Sequence, residues 1–134
     1  MEPYVTREII LSGTSYKDVY RKAIMIYNKI KSKSKRRPYV RSKYFNNEKV
    51  FLDYFWDHIR SKSFKDRTRR LKYYLCCLDL IRNSKSYPNI NTHSKESNEK
   101  LYRFSGTTLN NNIFFVQIKT NRKNQKFLIS VFPK

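Results

Sequence analysis

Glycine is nearly missing from this chain, with two in 134 residues. That excludes a glycine-rich phosphate loop, which needs several backbone positions free of a Cβ. Cysteine is equally scarce, and the two cysteines are adjacent, Cys76 and Cys77. Neighbouring side chains diverge along a helix, so the pair neither bridges itself nor matches a metal-ligand spacing. Buried, reduced thiols are expected. His58 and His93 are the only histidines. No zinc spacing and no Ser/His/Asp order stands out. No apolar run approaches the ~20 residues that span a membrane. The start, "MEPYVTREII", lacks the charged leader and apolar stretch of a signal peptide. Taken together, these absences predict a cytoplasmic protein with no membrane partner, cofactor or metal.

Acidic residues are also few. Ten Asp and Glu face 30 Lys and Arg, for a net charge of +20 and a pI near 10.1. Such a surface favours a polyanion, above all RNA or DNA. Lys, Asn, Ile, Tyr and Phe are the residues an AT-rich coding sequence produces, so lysine alone proves little. The arginine clusters Arg36–Arg37 and Arg67–Arg70 do not follow from that bias.

The length predicts one domain with a core rich in Phe and Tyr. Residues 1–85 read as mainly helical, 86–99 as a polar loop and 100–134 as an antiparallel sheet. A short strand is expected over Tyr4–Leu11. Thr14 or Ser15 caps a helix running to about Lys31, with Tyr16, Val19, Tyr20, Ala23, Ile24, Tyr27 and Ile30 at helical spacing. Lys31–Arg37 reads as a basic arm closed by Pro38. Pro38–Phe45 reads as extended or looped, and Asn46 or Asn47 as the cap of a helix to about Arg60. Ser63–Asp66 resembles a capping box opening a third helix to Asn83. Arg67, Arg69 and Arg70 would then lie in its first turn, against the helix dipole. Residues 86–99 show no periodicity and read as a mobile loop containing His93.

The period then changes to two. Lys100–Ser105, Asn112–Thr120 and Lys126–Phe132 predict three strands of a meander, with Gly106 permitting the turn after the first. Alternation sorts them into two faces. Tyr102, Phe104, Phe114, Val116, Ile118, Phe127, Ile129 and Val131 share the face expected to pack on helices. Leu101, Arg103, Ser105, Ile113, Phe115, Gln117, Lys119, Lys126, Leu128, Ser130 and Phe132 share the other. Water-facing positions of a sheet are ordinarily polar, but here the polar groups are donors with no carboxylate among them, interleaved with Phe115 and Phe132. Cations for phosphate and rings for stacking suit single-stranded nucleic acid. His58, on a face with Tyr54, Phe55 and Ile59, reads as a partly buried, hydrogen-bonded histidine before a catalytic one. Tyr44, Tyr54 and Trp56 read as core.

"DRTRRLKYYLCCLDLIRNS", a polar loop, then "KLYRFSGTT", "IFFVQIKT" and "KFLISVFP" resemble, in their order, the barnase–EndoU–colicin–RelE group of ribonucleases, in its RelE-like and phage-associated branches. The resemblance covers about Asp66–Pro133. It implies an α+β domain, with N-terminal helices on a C-terminal antiparallel sheet of three to four strands. It also implies a metal-independent toxin-type endoribonuclease that cuts tRNA or mRNA to a 2′,3′-cyclic phosphate. Arg103 and Lys119 would hold the scissile phosphate, with Gln117 orienting it and Ser130 and His58 serving proton transfer or positioning. Arg67, Arg70, Lys72, Phe115, Lys126 and Phe132 would bind RNA. An acidic antitoxin or immunity protein would be its partner. The chain departs from the group in lacking a strand-borne His or Glu. That leaves open a non-catalytic nucleic-acid-binding module of a mobile element or phage system, or a subunit whose basic face docks an acidic protein.

Overall fold

The computed structural model describes residues 2–92 and 99–134; His93 lies outside them. In chain order the elements are β1 (Tyr4–Val5), α1 (Tyr16–Ser32), β2 (Tyr39–Ser42), β3 (Glu48–Phe51), α2 (Asp53–Ile59), α3 (Phe64–Leu71), α4 (Tyr74–Asn83), β4 (Asn89–Thr92), β5 (Lys100–Thr107), β6 (Ile113–Thr120) and β7 (Lys126–Pro133). This is the expected α+β class, but the sheet is larger than three or four strands and not purely antiparallel. Among the described residues seven strands take part, in the order β1-β5-β6-β7-β3-β2, with β4 further along the same edge of β5 that β1 borders. The β1–β5 and β3–β7 pairs are parallel.

The extra strands come from segments that read otherwise in one dimension. Residues 39–51 form a hairpin, Ser42 opposite Glu48, where a loop and the start of a helix were expected. Asn46 and Asn47 make its turn at φ 56° and 65°, a left-handed conformation that Asn tolerates better than most residues. The helix after it starts only at Asp53. In the segment expected to be a mobile loop, Asn89–Thr92 pair with Lys100–Arg103 as β4. The expected first strand shrinks to Tyr4–Val5.

Ser15 caps α1, its Oγ accepting from Asp18 N. Ser63 caps α3 in the same way through Asp66 N. The single helix expected over Asp66–Asn83 is two, broken at Lys72–Tyr73. There Leu11 N donates to the Lys72 carbonyl, and Tyr73 turns in to stack on Phe114 at 5.5 Å. Because α3 starts at Phe64 and ends at Leu71, Arg69 and Arg70 fall in its last turn. Cations are favourable against the dipole there, so the expected penalty is reversed.

The core lies between the sheet and α1 and α4. Phe104, Phe114, Val116, Ile118, Leu128 and Val131 face Val19, Ala23, Cys77, Leu78 and Ile81, all buried. Each such aliphatic or aromatic side chain contributes about 1.5–3 kcal/mol. Both thiols are buried and free, and burial pushes Cys76 up to about 11. Gly106 lies inside β5, not at its end. A Cβ there would stand 2.9 Å from Leu80 Cδ1 and closer still to the Phe114 ring. Its role is close packing, not turn formation.

One irregularity decides which groups reach the outer face. Gln117 pairs with Ser130, yet Ile118 pairs with Leu128. Ile129 is therefore an extra residue, a β-bulge, and everything before it in β7 changes side. Leu128 and Lys126 point inward, while Phe127 turns to the other face, where Phe51, Tyr54 and Arg37 pack on it and bury it. The alternation expected for residues 126–129 is corrected accordingly.

Candidate nucleic-acid interface

Cross-strand pairing stacks three rungs on the outer face of β5–β6–β7. Arg103, Gln117 and Ser130 form the central rung. Ser105, Phe115 and Phe132 form the rung beside it, and Leu101, Lys119 and Phe127 the rung on the other side. Arg103, Gln117, Lys119, Phe115 and Phe132 are half-buried, as expected of a sheet face with one open side.

The two rings lie 5.4 Å apart and tilted by 37°. Arg103 Cζ lies 5.9 Å from the Phe115 centroid and Arg70 Cζ 5.3 Å from that of Phe132. An aromatic pair thus carries a guanidinium at each end. Ser130 is buried, and its hydroxyl donates to Gln117 Oε1 at 2.9 Å. That bond orients the Gln117 amide with its nitrogen as the outward donor.

Arg70 reaches the face from α3 because β3 pairs with β7 only at Lys126 and Phe127, and α2 and α3 border the rest of that edge. Arg70 Nε bonds Asp66 Oδ2 at 3.1 Å, and Arg69 shares the same carboxylate. Burial works against that carboxylate's charge, but the Arg69 hydrogen bond and the Arg70 charge and hydrogen bond outweigh it and lower the Asp66 pKa. His58 stands nearby on α2. It is exposed, where a partly buried histidine was expected. Partial desolvation first, then the charges of Lys62 and Arg70, lower its pKa from the ordinary 6.5. The shift favours the neutral imidazole, the form that can accept a proton.

The structure does not bring every expected residue to this face. Lys126 is buried, its Nζ 2.8 Å from Glu48 Oε2 and 2.9 Å from the Asn124 carbonyl. The bulge turns it inward, away from any solution ligand. Arg67 donates to the carbonyls of Lys62 and Arg60 at 2.9 and 2.6 Å and lies over the Phe64 ring. It ties the end of α2 to α3 beside α1. Lys72 lines a recess with Thr14, Tyr16 and Phe64. Among the residues expected to be core, Trp56 is buried, Tyr44 half-buried and Tyr54 exposed.

Four residues from outside the three rungs join Arg103 and Ser105. A polar cavity of about 220 Å³ is lined by Arg103, Ser105, Glu2, Ser86, Tyr87 and Asn89. Arg103 Nε is buried there with no hydrogen-bond partner among the described residues. Asn89 arrives through the β4–β5 pairing, directly opposite Arg103. The alternation in "NINT" was the signal that could have revealed it. Glu2 carries no such signal. Among the described residues, no three His, Cys, Asp or Glu side chains gather as metal ligands. None of the helices there is long and apolar enough to cross a membrane.

The architecture is that of an α+β domain presenting a cationic, aromatic sheet face. No family model, no curated protein and no solved structure matches this chain.

Proposed function

We propose that the outer face of β5–β7 binds single-stranded RNA and cleaves it as a metal-independent endoribonuclease of toxin type. The observation that carries the reading is the Phe115–Phe132 pair with Arg103 and Arg70 at its two ends. Unpaired bases stack on rings, and guanidinium groups hold the phosphates between them. In the reaction the ribose 2′-oxygen attacks the adjacent phosphorus. His58, in its neutral form, accepts the 2′-hydroxyl proton. Arg103, Arg70 and Lys119 stabilise the charge of the phosphorane. The bond to the 5′-oxygen breaks, Lys119 protonates that oxygen, and a 2′,3′-cyclic phosphate remains. Gln117, held by Ser130, orients the phosphate. An acidic antitoxin or immunity protein would block this face by covering its cations.

One observation favours a second reading, a binding module without catalysis. The Ser130 hydroxyl is buried and engaged with Gln117, and no carboxylate shares the three rungs. Incubating the protein with RNA in excess chelator and mapping the products separates the two. Cyclic-phosphate ends that vanish in folded Arg103→Ala and Lys119→Ala variants support the enzyme. Salt-sensitive binding without cleavage supports the module, and absence of both sinks the proposed interface.

A further inference from the structure

We infer that the protein carries a second nucleic-acid surface, a phosphate-reading ridge at the opposite edge of the sheet, and that it fits the double-helical stem of a folded RNA. The inference rests on the RNA reading above and names the substrate class: an RNA with a duplex arm beside its unpaired target.

The ridge lies where β2 ends the sheet. Two adjoining recesses of about 400 and 620 Å³ run along it and share Lys33, Ser34 and Tyr39. Their cations include Lys29, Lys33, Lys35, Arg36, Lys49 and Arg82, all exposed, and no acidic residue lines either recess. The nearby carboxylates are engaged elsewhere. Asp53 holds Arg37 at 2.8 Å, and Glu48 holds Lys126 at 2.8 Å.

Helix ends explain only a fraction of this charge. The C-termini of α1 and α4 point to this region, and each carries about half a negative charge. Lys29 in the last turn of α1 and Arg82 in that of α4 already answer them. Lys33, Lys35, Arg36 and Lys49 form no ion pair among the described residues, and their mutual repulsion works against the fold.

The ridge also differs in kind from the β5–β7 face. Its rings are covered by the protein's own cations. Lys49 Nζ lies 4.6 Å and Arg41 Cζ 5.5 Å from the Tyr39 centroid, and Arg37 Cζ 4.7 Å from that of Phe51. Rings so occupied offer unpaired bases nothing to stack on. Exposed cations without free rings fit a duplex backbone, whose bases are already stacked on one another.

The test measures affinity for two RNA probes across a salt series: an unpaired oligonucleotide, and a hairpin with that sequence in its loop. The triple variant Lys33→Ala, Lys35→Ala, Arg36→Ala removes exposed side chains and is expected to stay folded. It should lose about tenfold or more in hairpin affinity, with the salt slope shallower by roughly 2–3, at about 0.9 per phosphate contact. Its affinity for the unpaired probe should stay within about twofold, that probe engaging no ridge phosphates. Equal losses on both probes, or none on the hairpin, overturn the inference. Displacement of the hairpin by polyglutamate as readily as by duplex RNA of equal charge also overturns it, because the ridge would then fit an acidic protein. Failure of the single-strand reading shows separately, as wild-type protein that neither binds nor cuts the unpaired probe.

Discussion

Lys126→Ala tests the placement on which the site's boundary depends. Strict alternation along β7 puts this lysine on the proposed RNA-binding face, where its loss would weaken binding and leave stability alone. The bulge at Ile129 puts it inside, 4% exposed, bonded to Glu48 and to the Asn124 carbonyl. Three terms set the cost of the substitution. The buried stem loses three methylenes, about 2 kcal/mol at ~0.8 each. The Asn124 carbonyl loses its donor, about 1 kcal/mol. Glu48 is half exposed and regains water, so the ion pair itself counts for less than about 1 kcal/mol. Freeing an ammonium from burial offsets part of the sum. A net loss of about 2–3 kcal/mol should lower Tm by roughly 6–12 °C for a chain of this length. Lys126→Met keeps most of the stem and should lose only about 1 kcal/mol. Calorimetry on both variants, with RNA affinity measured well below their melting points, gives the answer. An unchanged Tm with a clear fall in RNA affinity would show that the inward placement is wrong.

The pH dependence follows from His58. Its folded pKa lies below the ordinary 6.5, so the unfolded chain binds more protons in the window between the two values. Its stability contribution is therefore complete above 6.5 and falls as pH drops towards the folded pKa. Cleavage should follow the same direction, flat above that pKa and declining below it as the imidazole gains its proton. A rate that rises on acidification would refute His58 as the base. Gly106→Ala forces a methyl against Phe114 and Leu80. Overpacking of this kind costs about 1–3 kcal/mol, which denaturant unfolding would read as a lower midpoint; a stabilised variant would contradict the contact.

Much of the candidate site was legible in one dimension because β6 alternates without interruption. Phe115, Gln117 and Lys119 share a face whatever surrounds them, and Arg103 lies opposite Gln117 once β5 pairs with β6. The caps Ser15 and Ser63 were equally readable, since each bond to a residue three positions on is local. The hairpin at residues 39–51 was hidden because "NNEKVFLDYFWDHI" is apolar at helical spacing as well. Its pairing partner settles the matter, and that partner includes the start of β7, with Val50 opposite Lys126, 76 residues on in the chain.

What the sequence determined by itself is composition and local geometry: a polycation, two capped helices, and strands whose donors and rings alternate with core residues. Which of those donors meet depends on the folded chain. The bulge withdraws Lys126, backbone carbonyls engage Arg67, and the short β3–β7 pairing leaves room for Arg70 over Phe132. The physical reason is range. A cap or an alternation is set by neighbours a few residues apart, whereas strand register and exposure are set by contacts between segments the chain keeps distant until it folds.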